Sequence, residues 1–309
     1  MPLPESIPAI TIGLPCSGRP AYLRAALEHF ALQSEQGFRI ILSENPSEAN
    51  AIAPLAAEFA ARGLNIHYRR HTEDIGMVAN FMSVLHDADT EFFMWAADDD
   101  LRHPEALKTL LGRLVQYPEA GLAACSVEVI NAAGTTIDFH GGFSRFTELH
   151  NPADGVLRFM AEPELGGKAN LIYGLFRTGP LRIAIEAIGG GFPECWGPDL
   201  VVLASFLSRF RVVADDRALL RKRTRNDRVT PLGKRYPQDF GWPAAEFPAF
   251  RAAMLAALPD DPVRTEAARI LDARQRHLGG IGLVRRTVLK ATGFSTAPAL
   301  ALKPEDMWT

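Results

Sequence analysis

The sequence has little cysteine: three residues in 309, Cys16, Cys125 and Cys195, far apart and without a Cys-x-x-Cys spacing. That scarcity excludes a disulfide framework and a zinc ribbon, and it fits a reducing, cytoplasmic compartment. An excess of either charge is also lacking, because 33 Lys and Arg stand against 36 Asp and Glu for a formal net charge of −3. Bulk electrostatics therefore recruits no nucleic acid. Apolar runs of about 18 residues, the length a helix needs to cross a bilayer, do not occur. The opening MPLPESIPAI has no basic stretch ahead of an apolar one, so no signal peptide is expected.

What is present is ordinary globular composition, 47% apolar and 22% charged, in a length that one elaborated α/β domain with a small helical tail accommodates. Short apolar runs alternate with amphipathic stretches, the pattern of βαβ units around a parallel sheet. Strands are expected over residues 9–14, 38–42, 64–68 and 92–97, with helices opening at Pro20, near Ser47, near Ile75 and at Pro104. In the helix near Ile75, Val78, Phe81, Met82 and Leu85 recur at i, i+3, i+4 and i+7, which predicts a core stripe beneath polar Asn80 and Ser83. After Gly121 the grammar changes. Residues 122–130, a turn at 131–134 and a further apolar segment read as an antiparallel hairpin, so a mixed sheet is expected. A strand over 171–177, a helix after Gly179-Pro180, a helix from Pro198 to Arg209, a sheet-edge strand over 210–214 and helices near 252–258 and 266–277 complete the reading.

The most informative segment is FFMWAADDD, residues 92–100, where a strand buried on both faces discharges into three consecutive carboxylates. Ligands of open α/β sheets gather outside the carboxyl ends of strands, and backbone alternation can aim Asp98 and Asp100 into one crevice. Magnesium or manganese suits such a pair when phosphate oxygens and water complete the shell. An acidic turn capping the next helix is the plainer alternative.

Here the sequence resembles a known family. ITIGLPCSGRPAYLRAALEHFALQS is similar to the first strand and helix of family-2 glycosyltransferases, which commonly read ITIGxPxYNRxxxLxxALxSxLxQ. FRIILSENPS resembles the second-strand motif, IGMVANFMSVLHDADTEFFMWAADDD the helix, strand and DxD motif, and YGLFRT and CWGPD elements of the acceptor side. The resemblance spans roughly residues 8–225. It implies a GT-A fold, a Rossmann-like mixed central sheet flanked by helices with a helical C-terminal extension. It also implies inverting transfer from a UDP-, GDP- or TDP-sugar with Mn2+ or Mg2+. On that basis residues 1–120 form the nucleotide-sugar half, 121–238 the acceptor half and 239–309 the extension. The acceptor is expected to be a glycan or lipid-linked hydroxyl, as in bacterial cell-surface polysaccharide synthesis.

Two departures from the family pattern lie near the expected nucleotide pocket: Ser17-Gly18 replaces an aromatic-Asn pair, and Glu44 replaces an aspartate. Pro15 and Glu44 are the positions carried over for the nucleotide, Glu44 as hydrogen-bond acceptor for the base or else an exposed turn acid. Gly76 and Asn80 fall beside the nucleotide by resemblance, where glycine permits close approach and an amide both donates and accepts. Asp98 and Asp99 are assigned to the nucleotide sugar, and Asp100 with Asp98 to the metal. Arg69, Arg70 and His71 are candidates for phosphate, or a basic strand end on the surface.

An inverting transfer needs one ionised carboxylate to take the acceptor proton. Asp199 in CWGPDL matches the family's catalytic acid at a helix start, where the helix N-terminus favours the ionised form. Glu194 is the substitute, an N-capping role the alternative, and Trp196 is offered either to a sugar face or to the core. Residues 217–235 hold eight basic residues against one acidic and read as a flexible loop meeting diphosphate or lipid phosphate, or as a solvated edge. With the basic-apolar stretch 279–290 they allow a peripheral membrane contact. The rival readings are a nucleotidyltransferase and a non-catalytic nucleotide-sugar-binding protein. GLPCSGRPAYL lacks the glycine-rich loop and lysine that would favour the former.

Overall fold

The computed structural model describes residues 9–47, 51–162, 166–224, 246–259 and 262–278. The first half is built from β1 (Ile10–Cys16), α1 (Pro20–Ala31), β2 (Phe38–Glu44), α2 (Ile52–Ala61), β3 (Ile66–Arg70), α3 (Met77–His86) and β4 (Phe92–Trp95). All of its strand pairs, β1 with β2, β1 with β4 and β2 with β3, are parallel. Every residue of β1 and β4 is buried, which is why β4 reads as an unbroken apolar run and β1 as one interrupted only by Thr11. Pro20 opens α1, which buries Leu23, Ala26, Leu27 and Phe30.

The second half adds β5 (Leu101–Arg102), α4 (Ala106–Gln116), β6 (Ala120–Ile130), β7 (Thr136–His140), α5 (Pro152–Ala161), β8 (Leu175–Arg177), α6 (Thr178–Glu186), α7 (Pro198–Leu207), β9 (Arg211–Arg223), α8 (Phe247–Ala256) and α9 (Val263–Leu278). The strand order is β3-β2-β1-β4-β8-β6-β9-β5, with β7 pairing β6. The sheet is mixed, because β8 joins β4 and β6 antiparallel while β9 runs parallel to β6. From β1 the order runs outward to β2 and β3 on one side and to β4 on the other, so the crevice above β1 and β4 is a topological switch point.

Three expectations are corrected. In α3, Asn80 is buried with Val84 and Leu85, while Val78 is 39% exposed. The polar residue wins the inner face because its Nδ2 donates to Ser43 O at 3.0 Å, which removes the cost of burying an amide. Residues 168–173 form a 3-10 segment, leaving only Leu175–Arg177 as strand. The edge strand expected over 210–214 is thirteen residues long and lies inside the sheet between β6 and β5. Its basic residues are individually paired: Arg217 with Asp215, Arg221 with Glu128 and Lys222 with Asn170. Through residue 223 the flexible basic loop is therefore a strand; residues 225–235 and 279–290 lie outside the described residues. Among the described residues no helix is long and apolar enough to cross a membrane.

Gly13 fixes how closely α3 approaches β1. A Cβ there would stand 2.6 Å from Val84 Cγ2 and 2.7 Å from Phe93 Cζ. Gly13→Ala is expected to lower stability by about 1–3 kcal/mol, the cost of overpacking a core. Denaturant unfolding measures this, and an unchanged midpoint would show that the helix shifts without strain.

Candidate functional site

Strands β1 and β4 run side by side up to Gly13 and Trp95, and beyond them the chain turns into loops that enclose a cleft of about 370 Å³. Pro15, Cys16, Ser17 and Arg19 form one wall, and Ala97, Asp98 and Asp99 another. Asp74, Met77, Asn80 and Phe81 close the side at the start of α3, with Asn45 and Tyr173 completing the lining. Trp95 Nε1 donates to Phe81 O at 2.9 Å and so ties the α3 wall to the strand carrying the carboxylates.

Of the residues expected at the nucleotide, Pro15, Asn80, Asp98 and Asp99 line this cleft. Glu44 sits just behind it, 1% exposed. Its Oε2 accepts a hydrogen bond from the Tyr68 hydroxyl, while Oε1 is buried without a hydrogen-bond partner, with Arg70 Nε 4.0 Å away. The Cys16 thiol lies in the field of both Asp98 and Glu44; burial, then those two charges, push its pKa up and keep it protonated. Gly76 has nothing within 4 Å of where its Cβ would be; its φ is +80° at the cap of α3, with Asp74 Oδ1 accepting its N–H at 2.8 Å.

Arg69, Arg70 and His71 belong to the frame. Arg69 donates to Ser43 Oγ at 3.0 Å and pairs with Asp87, and Arg70 Nη2 donates to Ser47 O at 3.3 Å. His71 Nε2 lies 3.0 Å from Ser43 Oγ and 3.3 Å from Asn80 Oδ1. These contacts lock the ends of β2 and β3 to α3.

Asp100 lies one step deeper than its neighbours. Its Oδ1 accepts the Arg223 N–H at 2.8 Å, and its buried Oδ2 has no hydrogen-bond partner. Burial raises its pKa to about 7 against the pull of Lys222. Arg223 also donates to the carbonyls of Asp99, Asn131 and Ala132, strapping the acidic turn to the β6–β7 hairpin.

Asp199 is the second residue of α7. Its Oδ1 accepts the Leu200 N–H at 3.0 Å. The expected help from the helix N-terminus is outweighed: burial pushes the Asp199 carboxyl above the ordinary range, with the Leu200 amide and Lys222 pulling the other way. Tyr173 joins the two regions. It lines the cleft, and its phenol is held protonated by burial and then by the charges of Asp100, Asp199 and Asp99. Lys222, whose Nζ donates to Asn170 Oδ1 at 2.9 Å and lies 4.8 Å over the Tyr173 ring, acts on both Asp100 and Asp199. Glu194 is exposed, and Trp196 packs edge-to-face on Phe250 at 5.3 Å, which places it with α8.

Sequence reasoning passed over Arg19, Asn45, Tyr173 and Lys222. Each lies in a segment singled out above, Arg19 and Asn45 in the first- and second-strand patterns, Tyr173 in YGLFRT and Lys222 in the basic run, but none was singled out by itself.

The cleft walls carry Asp74, Asp98 and Asp99 against a single basic residue among the described lining, Arg19. An anion entering such walls requires a cation beside it. Among the described residues no three His, Cys, Asp or Glu side chains form a complete metal cage. A pair of carboxylates, one with the unpartnered buried Asp100 Oδ2, is the donor set that fits a hard divalent ion whose remaining ligands are phosphate oxygens and water.

Residues 11–162 match the family model of glycosyl transferase family 2. No curated protein matches the sequence. Solved structures share the fold: S. aureus TarS 1–349 in complex with UDP is 16% identical with a TM-score of 0.61, over 92% of this chain and 75% of that one. The same protein in complex with UDP-GlcNAc gives 17% and 0.59, over 96% and 77%. The mannosyltransferase PcManGT from Pyrobaculum calidifontis in complex with GDP-Man and Mn2+ gives 15% and 0.48, over 97% and 82%.

Proposed function

Since the chain belongs to glycosyl transferase family 2, we propose that it transfers a sugar from a nucleoside-diphosphate sugar to an acceptor hydroxyl with inversion at the anomeric carbon. The observation that carries this reading is the cleft at the β1/β4 switch point, walled by the β1 loop and by Asp98 and Asp99. A divalent cation bound by Asp98 and Asp100 with the diphosphate would neutralise leaving-group charge. The chain's own residues do the rest. Glu44 Oε1 accepts a hydrogen bond from the base, and Asn80 holds the α3 wall against β2. Asp199 takes the acceptor proton as the acceptor oxygen bonds to the anomeric carbon and the bond to the diphosphate breaks on the opposite face. The acceptor is a hydroxyl of a glycan or a lipid-linked sugar.

The test is a panel of UDP-, GDP- and TDP-sugars scored for manganese-dependent hydrolysis. One donor class should be turned over, and hydrolysis of none, with or without manganese, contradicts the reading. A further outcome is expected at Glu44. Glu44→Ala should weaken affinity for the free nucleotide by about tenfold, the worth of a charged hydrogen bond, with preference among sugars on one base unchanged. Equal affinity of variant and parent removes Glu44 from the base subsite.

A further inference from the structure

Arg19 stands where the proposed reaction needs a different cation. It precedes α1 on the loop leaving β1, makes no side-chain cap to the helix, and presents a forked guanidinium: Nη2 donates to Asp98 Oδ1 and Nη1 to Asp99 Oδ2. The carboxylates are nearly sealed, at 3% and 12% side-chain exposure, while the Arg19 side chain keeps 28% and forms part of the cleft wall. Adjacent buried carboxylates repel one another unless a counter-charge sits between them or one takes a proton.

We propose that Arg19 is the resting counter-cation of this pair: it clasps Asp98 and Asp99 while the cleft holds no divalent ion, yields Asp98 to the ion that Asp98 and Asp100 bind, and turns its fork to the diphosphate. This rests on the nucleotide-sugar reading above. A planar fork matches a carboxylate pair and a diphosphate equally well. Arg223, the other arginine at the turn, cannot make this exchange, because its guanidinium is fixed by three backbone carbonyls. Among the described residues the Arg19 guanidinium hydrogen-bonds only to the two carboxylates, so Asp99 alone anchors it once Asp98 takes another cation.

The exchange predicts effects of opposite sign. Arg19→Met removes a competitor for the carboxylates, so Mn2+ alone, followed by the electron spin resonance of the free ion, should bind about tenfold more tightly. The same variant loses a phosphate ligand, so the nucleoside diphosphate that the parent prefers should bind about tenfold more weakly by calorimetry at saturating Mn2+. A merely structural arginine would weaken both. Arg19→Lys keeps the charge without the fork, so both affinities should lie between those of the parent and Arg19→Met. It carries the test should the methionine variant fail to fold by circular dichroism. If the parent binds both probes and neither folded variant binds Mn2+ more tightly than it does, the Arg19 exchange is wrong and the nucleotide-sugar reading stands. If the parent binds no nucleoside diphosphate with Mn2+, both fall.

Discussion

Asp199→Asn is expected to keep donor affinity and to lower single-turnover transfer by about 10²–10⁴-fold, the usual weight of a general base. Asparagine preserves size and can still accept the Leu200 N–H that Asp199 Oδ1 accepts now, but it cannot take a proton. The parent should also show a distinctive acid limb. Burial raises the Asp199 pKa, and the base works only when ionised, so kcat/KM should rise with pH through a midpoint above the ordinary aspartate range. Lys222 opposes that rise in pKa, so Lys222→Met should move the limb to higher pH. Glu194→Gln should leave transfer near the parental rate, since Glu194 is exposed and Asp199 sits in the field shared with Tyr173 and Lys222. Parental transfer by Asp199→Asn alongside failure of Glu194→Gln would reassign the base and leave Asp199 as a helix cap.

Asp100→Ala is expected to abolish manganese-dependent binding of nucleoside diphosphate while the fold persists. The Asp100 Oδ2 atom has no hydrogen-bond partner, whereas Oδ1 is engaged by the Arg223 amide, so the substitution removes the donor proposed for the cation and one hydrogen bond. Thermal shift reads the difference: a ligand at about 100 times its Kd stabilises the parent by about 2.7 kcal/mol. The variant should gain nothing from the same mixture. A variant stabilised as strongly as the parent would show that the cation does not use Asp100.

Most of what builds the first half is legible in the sequence, because that half follows local rules. β1 and β4 are buried on every residue and so appear as apolar runs, Pro20 marks the start of α1, and the acidic triplet follows directly on the strand that positions it. What escaped depends on partners distant in sequence. The inner face of α3 goes to Asn80 rather than Val78 because a backbone carbonyl 37 residues away satisfies the amide. The basic run from Arg217 reads as a flexible loop or a solvated edge, yet through Arg223 it is a strand in which Arg221 and Lys222 are answered by Glu128 and Asn170, 93 and 52 residues away. The helix N-terminus favours an ionised Asp199, whereas the burial that raises its pKa is tertiary. Arg19 was visible as a pattern residue, and only folding shows which carboxylates it meets.

Binding of a nucleoside diphosphate in the β1/β4 cleft through a divalent cation is the step on which every other proposal depends. Calorimetric titration of the full chain with UDP, GDP and TDP, each with and without Mn2+, measures it. Saturable binding of at least one of them, strengthened at least tenfold by Mn2+, is expected. Binding of none in the presence of Mn2+, or affinity indifferent to the ion, would overturn it.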